Sequence, residues 1–138
     1  MEITYKVNHA ITPDEFIALL HSSTLAERRP VDDYACIEGM IKNSNLLVTA
    51  WDGNKLIGVA RSITDFHYAC YLSDLAVDKK YQKRNVGKKL QSLTQEQLNS
   101  KCKLILIAAP DADSYYKHIG FTKNDRCWVL ERGAKISS

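Results

Sequence analysis

The spacing of apolar residues changes repeatedly along this chain, and each change marks the edge of an element. Phe16, Ile17, Leu19 and Leu20 recur at helical spacing behind Thr12-Pro13-Asp14-Glu15. That prefix supplies a capping hydroxyl, a proline at the first helical position and early acidic groups, so a helix is predicted from Pro13 to about Ser22. Arg28, Arg29 and Pro30 break the pattern as a polar, exposed linker. Val31-Asp32-Asp33 then opens a second short helix through Cys36, Ile37 and Met40 to Ile41. Residues 46–51 and 55–63 are β-rich runs joined by Asp52-Gly53-Asn54, the signature of a hairpin. Residues 68–77, YACYLSDLAV, run on without Gly or Pro and read as a central strand covered on both faces.

After that strand the period lengthens. Val86, Leu90, Leu93 and Leu98 share one helical face up to Asn99-Ser100, and residues 104–108, LILIA, resume as a buried strand. Two strands joined through a helix are most simply parallel neighbours, so the sheet is mixed: an antiparallel hairpin first, parallel strands later. The fold class is α/β or α+β. Pro110-Asp111-Ala112-Asp113 opens a further short helix with Tyr115, Tyr116 and Ile119, closed by Gly120. Residues 126–131 are expected to form the last strand, and 135–138 a frayed tail.

A length of 138 residues suits a single domain spanning 1–138, and 45% hydrophobic with 25% charged residues suits a packed core. The net charge of +3 is too small to argue for a nucleic-acid or membrane partner. MEITYKVNHA lacks the layout of a secretory leader, and no long apolar run follows, so a cytoplasmic location is expected. Cys36, Cys70, Cys102 and Cys127 form no CxxC pair, which predicts reduced thiols used as small core residues and no metal site.

The chemistry concentrates between the central strand and the amphipathic helix, in Tyr81-Gln82-Lys83-Arg84-Asn85-Val86-Gly87-Lys88-Lys89-Leu90. A loop entering a helix presents main-chain N–H groups without helical acceptors at the positive end of the helix dipole, which is a cradle for phosphate. Gly87 permits close approach, Asn85 tolerates a left-handed turn, and Lys83, Arg84, Lys88 and Lys89 add positive field. Taken alone, the basic run is most simply a solvated helix start. Neither GxxxxGK[ST] nor GxGxxG occurs, so ATP and NAD lose support.

The chain resembles the GNAT superfamily of N-acetyltransferases, whose pyrophosphate loop reads Q/R-x-x-G-x-G/A; here the pattern is Gln82-x-x-Asn85-x-Gly87. YLSDLAV resembles the splayed strand before that loop, and Ser114-Tyr115-Tyr116-Lys117-His118-Ile119-Gly120-Phe121 resembles the family's late (F/Y)Y-x-x-x-GF segment. Two departures stand out: Asn85 replaces the usual first Gly, and Ala109 stands where many members carry Asn. The resemblance implies a centrally splayed mixed sheet flanked by helices, with acetyl-CoA as acetyl donor and no metal. It places the pantetheine arm on the main chain of Leu75, Ala76 and Val77, and the diphosphate on Gln82, Lys83, Arg84, Asn85, Val86, Gly87 and Lys88. It also implies direct attack of an amine on the thioester, with the Leu75 N–H as oxyanion donor and Tyr116 protonating the leaving thiolate.

Asp74 ranks first as proton acceptor, because a carboxylate inside YLSDLAV is costly unless paired or used. Tyr71, His67, Asp65 and Glu38 follow, Tyr115 is assigned to packing, and His118 to an outer helix face. The acceptor is expected to be a small-molecule primary amine, such as an arylalkylamine or polyamine. Asp32, Asp33 and Glu38 favour a cationic acceptor and Arg28 and Arg29 an acidic one, and a homodimer is left open. Two other readings are a non-catalytic acyl-CoA-binding module and an enzyme acting on a protein or peptide amine. A nucleic-acid reading lacks a base-reading element beside the lysines.

Overall fold

The computed structural model describes residues 2–137, and its contacts divide them into two compact units, with the division between Leu106 and Ile107. The first holds a five-stranded sheet in the order β1-β2-β3-β4-β5. Strand β1 is Thr4–Val7, β2 Leu46–Asp52, β3 Lys55–Thr64, β4 Ala69–Val77 and β5 Lys103–Ile105. The first four strands pair antiparallel in succession, and β5 joins β4 in parallel. Helices α1 (Pro13–Ser23), α2 (Tyr34–Lys42) and α3 (Val86–Glu96) cover the faces.

Local chemistry explains the helix ends. The Thr12 hydroxyl accepts from the Glu15 N–H at 3.1 Å while the Thr12 N–H donates to the Glu15 carboxylate at 2.9 Å, a complete capping box. Asp33 caps α2 by accepting from the Cys36 N–H at 3.1 Å, so α2 starts at Tyr34 rather than at Val31. The linker expected after α1 is a 3₁₀ turn, Leu25–Arg28, and Arg29 beyond it turns its side chain inward.

Alternation along the strands sorts the core into two layers. Phe16, Leu19, Leu20 and Ile37 pack with Leu47, Trp51, Val59 and Ala76 on the face of α1 and α2. Val48, Ala50, Ile57, Ala60, Cys70 and Leu72 pack with Val86 and Leu90 of α3 on the other. Helix α3 lies close because Gly58 has no side chain: a Cβ there would meet Leu90 Cδ1 at 3.1 Å and Val86 Cγ1 at 3.2 Å.

Four further expectations need correction. Helix α3 ends at Glu96, with Gln97 as its C-cap, rather than near Asn99-Ser100. Strand β5 stops at Ile105 instead of running to residue 108, because its ladder with β4 covers only Ala69–Tyr71 among the described residues, and it is an exposed edge rather than a buried strand, with Ile105 45% exposed. Residues 126–131 are not a strand, since no ladder takes them up among the described residues, and Trp128 is 92% exposed. Of the four cysteines only Cys70 is buried; Cys36 and Cys127 are exposed.

The second unit contains a 3₁₀ turn, Pro110–Ala112, and a short helix α4, Asp113–His118. Gly120 follows with φ 107°, the left-handed conformation expected of it as the residue ending that helix.

Candidate functional site

The connection from β4 to α3 is anchored at its start. The Asp78 N–H donates to the Ile57 carbonyl at 2.8 Å, and its carboxylate accepts from the Lys80 N–H at 2.9 Å. Tyr81 is buried, with its hydroxyl donating to the Asp52 carboxylate at 2.6 Å. That bond, and secondly burial, push the Tyr81 hydroxyl above its ordinary value, so the anchor keeps its proton at neutral pH. Lys55 Nζ and the Arg84 guanidinium stand 5.8 Å and 5.7 Å from the Tyr81 ring centroid.

From this anchor the chain makes two left-handed steps, Lys83 at φ 68° and Asn85 at φ 61°. Asparagine tolerates that region, whereas for lysine it costs about 1–2 kcal/mol. Asn85 is the N-cap of α3 but makes no side-chain cap, and the first helical bond runs from the Lys89 N–H to the Asn85 carbonyl at 2.9 Å. The N–H groups ahead of Lys89 therefore have no acceptor within the helix. Around them Lys83, Lys88 and Lys89 are exposed and make no ion pair among the described residues.

Gly87 lies in this first turn without a conformational reason of its own. Its φ is outside the left-handed region, and a Cβ would touch only Val77 Cγ2, at an ordinary 3.7 Å. Glycine in a helix costs roughly 0.5–1 kcal/mol relative to alanine. Neither backbone conformation nor packing within the chain therefore calls for glycine at this position.

The second element is the edge of β4. Past Tyr71, among the described residues, the strand has a ladder partner on the β3 side only. The bond from the Asp78 N–H to Ile57, with Val77 opposite Gly58, sets the phase: the main-chain polar groups of Leu75 and Val77 point to the open side and those of Ala76 point to β3. Of the three residues expected to line the cofactor arm, Leu75 and Val77 thus offer backbone groups there, and Ala76 contributes to the core. The Val77 carbonyl already accepts from Gln82 Nε2 at 3.0 Å, tying the loop to the strand end.

Strand β4 also carries a bulge that the sequence analysis missed. Ser62 faces Leu72 and Arg61 faces Asp74, leaving Ser73 without an opposite number. The extra residue reverses the alternation: Cys70 and Leu72 face α3, and so do Leu75 and Val77, while Asp74 and Ala76 turn to the α1 and α2 face. The sequence signal for it is the polar pair Ser73-Asp74 between two leucines.

Asp74 has no exposed side-chain surface, and its two carboxylate oxygens pair with Arg29 and Arg61. Arg61 also donates to the Met40 carbonyl at 3.2 Å, the Ser44 hydroxyl at 2.8 Å and the Ser73 hydroxyl at 3.0 Å. A base must reach the proton it takes, and this carboxylate presents no open face.

Of the weaker candidates, Asp65 and His67 are engaged by neighbouring groups, while Glu38 and Tyr71 are surface side chains. The Asp65 carboxylate accepts from the N–H groups of His67, Tyr68 and Ala69 at the turn between β3 and β4, which holds it below its usual range. His67 Nδ1 and Asn99 Nδ2 are 2.9 Å apart, Glu38 is exposed on α2, and Tyr71 is 39% exposed. In the second unit the Tyr116 ring meets Tyr115 at 5.3 Å and Phe121 at 5.4 Å, both edge-on. Burial, and secondly Tyr115, raise the Tyr116 hydroxyl above its ordinary value. His118 is exposed, as expected. Among the described residues no three His, Cys, Asp or Glu side chains are grouped to hold a metal ion, and no helix is long and apolar enough to cross a membrane.

The family model for the acetyltransferase (GNAT) domain matches residues 20–131. An uncharacterized N-acetyltransferase, ycf52, of Pyropia yezoensis is 30% identical over 93 residues, 61% of this chain and 52% of that protein, so the match spans about half the relative's length. A GNAT-family acetyltransferase structure from Streptococcus pneumoniae superposes with a TM-score of 0.75 at 18% identity, covering 95% of this chain and 99% of that one. The aminoglycoside N-acetyltransferase AAC(6′)-Iy in complex with CoA superposes with a TM-score of 0.72 at 16% identity, covering 96% of each chain. These two likenesses show the fold: a mixed sheet flanked by helices.

Proposed function

Because the chain belongs to the GNAT acetyltransferase family, we propose that it transfers the acetyl group of acetyl-CoA to a primary amine of a small molecule. The observation that carries this reading is Gly87, a helical glycine that neither its backbone nor its packing requires, in a helix start whose first N–H groups have no acceptor within the helix and which lies among exposed lysines. A diphosphate suits that turn in charge and in acceptor oxygens. Gln82, Lys83, Arg84, Asn85, Val86, Gly87 and Lys88 are assigned to it.

The open edge of β4 supports the rest of the assignment. An amide-bearing arm adds to Leu75 and Val77 as a peptide adds to a sheet edge. The Leu75 N–H is assigned to the thioester oxygen, where one such donor is worth roughly 3–4 kcal/mol in other enzymes. The amine attacks the thioester carbon, its proton passes to water, and the CoA thiolate leaves with a proton from Tyr116. The raised Tyr116 hydroxyl suits a donor that must stay protonated. Asp74 is assigned to the architecture of β4 in place of proton acceptance, on the strength of its two arginine partners. The acetyl acceptor resembles, in class, the aminoglycoside amines named for AAC(6′)-Iy.

Calorimetric titration with CoA, followed by thiol release from acetyl-CoA across a panel of small amines, tests this. Binding with amine-dependent release is expected. Binding without release from any small or peptide amine would leave only a CoA-binding module, and absence of binding would overturn the proposal.

A further inference from the structure

We propose that Arg29 is a positioning residue that fixes the β4 bulge and through it the direction of the Leu75 N–H, a proposal that rests on the assignment of that N–H to the thioester oxygen. Ser73, the bulged residue, has both of its acceptors held by arginines. The Arg29 Nη2 donates to the Ser73 carbonyl at 2.9 Å, and the Arg61 Nη2 donates to the Ser73 hydroxyl at 3.0 Å. Both guanidiniums also grip the Asp74 carboxylate. A bulge is a place where a strand can slip by one residue, and a slip here would return Leu75 and Val77 to the wrong face and turn their N–H groups toward β3.

The two arginines differ in origin. Arg61 is on β3 beside the bulge and is buried. Arg29 comes from the connection between α1 and α2, and a third bond from its Nη1 to the Arg28 carbonyl at 2.8 Å fixes the fork to its own segment. Its side chain keeps 22% exposure. The segment that precedes α2 is thereby tied to the strand edge two residues before Leu75. Only a planar fork can serve Asp74, Ser73 and Arg28 together; an ammonium on a flexible stem cannot hold that set of directions.

The test compares Arg29→Lys and Arg29→Ala with the wild type in three readouts. Amide hydrogen exchange at Asp74 and Ala76, which bond to β3, should accelerate by about tenfold or more in both variants while Val48 exchange is unchanged. The kcat for thiol release should fall by about tenfold or more, with the Kd for CoA within about twofold of wild type, and lysine should restore little of the loss. Unchanged exchange, an unchanged kcat, full rescue by lysine, or a loss of CoA affinity parallel to kcat would each overturn the positioning role while leaving the CoA site standing. A wild type that binds no CoA would instead remove the reading beneath it.

Discussion

A Cβ on Gly87 would lie 3.7 Å from Cγ2 of Val77, so the first turn of α3 meets the end of β4 with room for one methyl group and no more demand than that. The pair brings together the two surfaces assigned to the cofactor: the N–H groups of the helix start and the open strand edge. Chain packing and ligand approach can be separated at this position. Gly87→Ala should leave the melting temperature unchanged or slightly raised, since alanine is the better helix former by about 0.5–1 kcal/mol, yet weaken CoA. Gly87→Glu should fold and bind CoA about a hundredfold or more weaker, as a carboxylate would occupy the place of the diphosphate. Calorimetry beside thermal denaturation reads both; wild-type affinity in Gly87→Glu would count against the loop.

Tyr116 gives a separate expectation. With its hydroxyl raised above the ordinary value by burial, it stays protonated to above about pH 10, so turnover should not fall from this group between pH 7 and pH 9. Tyr116→Phe should lower kcat by about tenfold or more with CoA affinity within about twofold. Steady-state kinetics and titration on the same preparation measure it, and an unchanged kcat would remove Tyr116 from the reaction.

Much of this was legible in the chain. Thr12-Pro13-Asp14-Glu15 makes a capping box, Asp52-Gly53-Asn54 closes the hairpin, and Asn85 takes the left-handed turn that its side chain tolerates. Those features are written in a few neighbouring residues. What stayed hidden depends on distant ones. Arg29 and Asp74 are 45 residues apart, and nothing near Arg29 says that it turns inward instead of facing solvent. The Ser73 bulge becomes visible only when the register with β3 is known, because YLSDLAV reads equally well as an uninterrupted strand. The β-rich residues 126–131 had the composition of a strand but lacked a ladder to join. Strand β1, Thr4–Val7, is too short to stand out by period and forms because β2 offers an edge.

The core on the α3 side predicts an alkaline limit to stability. Burial pushes the Cys70 thiol up, outweighing the influence of the neighbouring Ser62 and Thr64 hydroxyls, which acts the other way. In the unfolded chain this thiol ionises near pH 8.5 while the folded chain keeps its proton, so above that pH the unfolded state binds fewer protons and unfolding becomes easier. The contribution is full below the unfolded value and is lost as pH rises through the folded one. Urea denaturation from pH 7 to pH 10 should show this decline, and Cys70→Ala, although less stable at pH 7, should show a shallower one. Equal slopes would assign the decline to other groups.

The most direct measurement is a crystal structure of the protein with CoA bound. The diphosphate should lie against the main-chain N–H groups of residues 84–88, with the amide-bearing arm along Leu75 and Val77 on the open side of β4. A diphosphate bound elsewhere, with the turn before α3 holding nothing, would contradict the account.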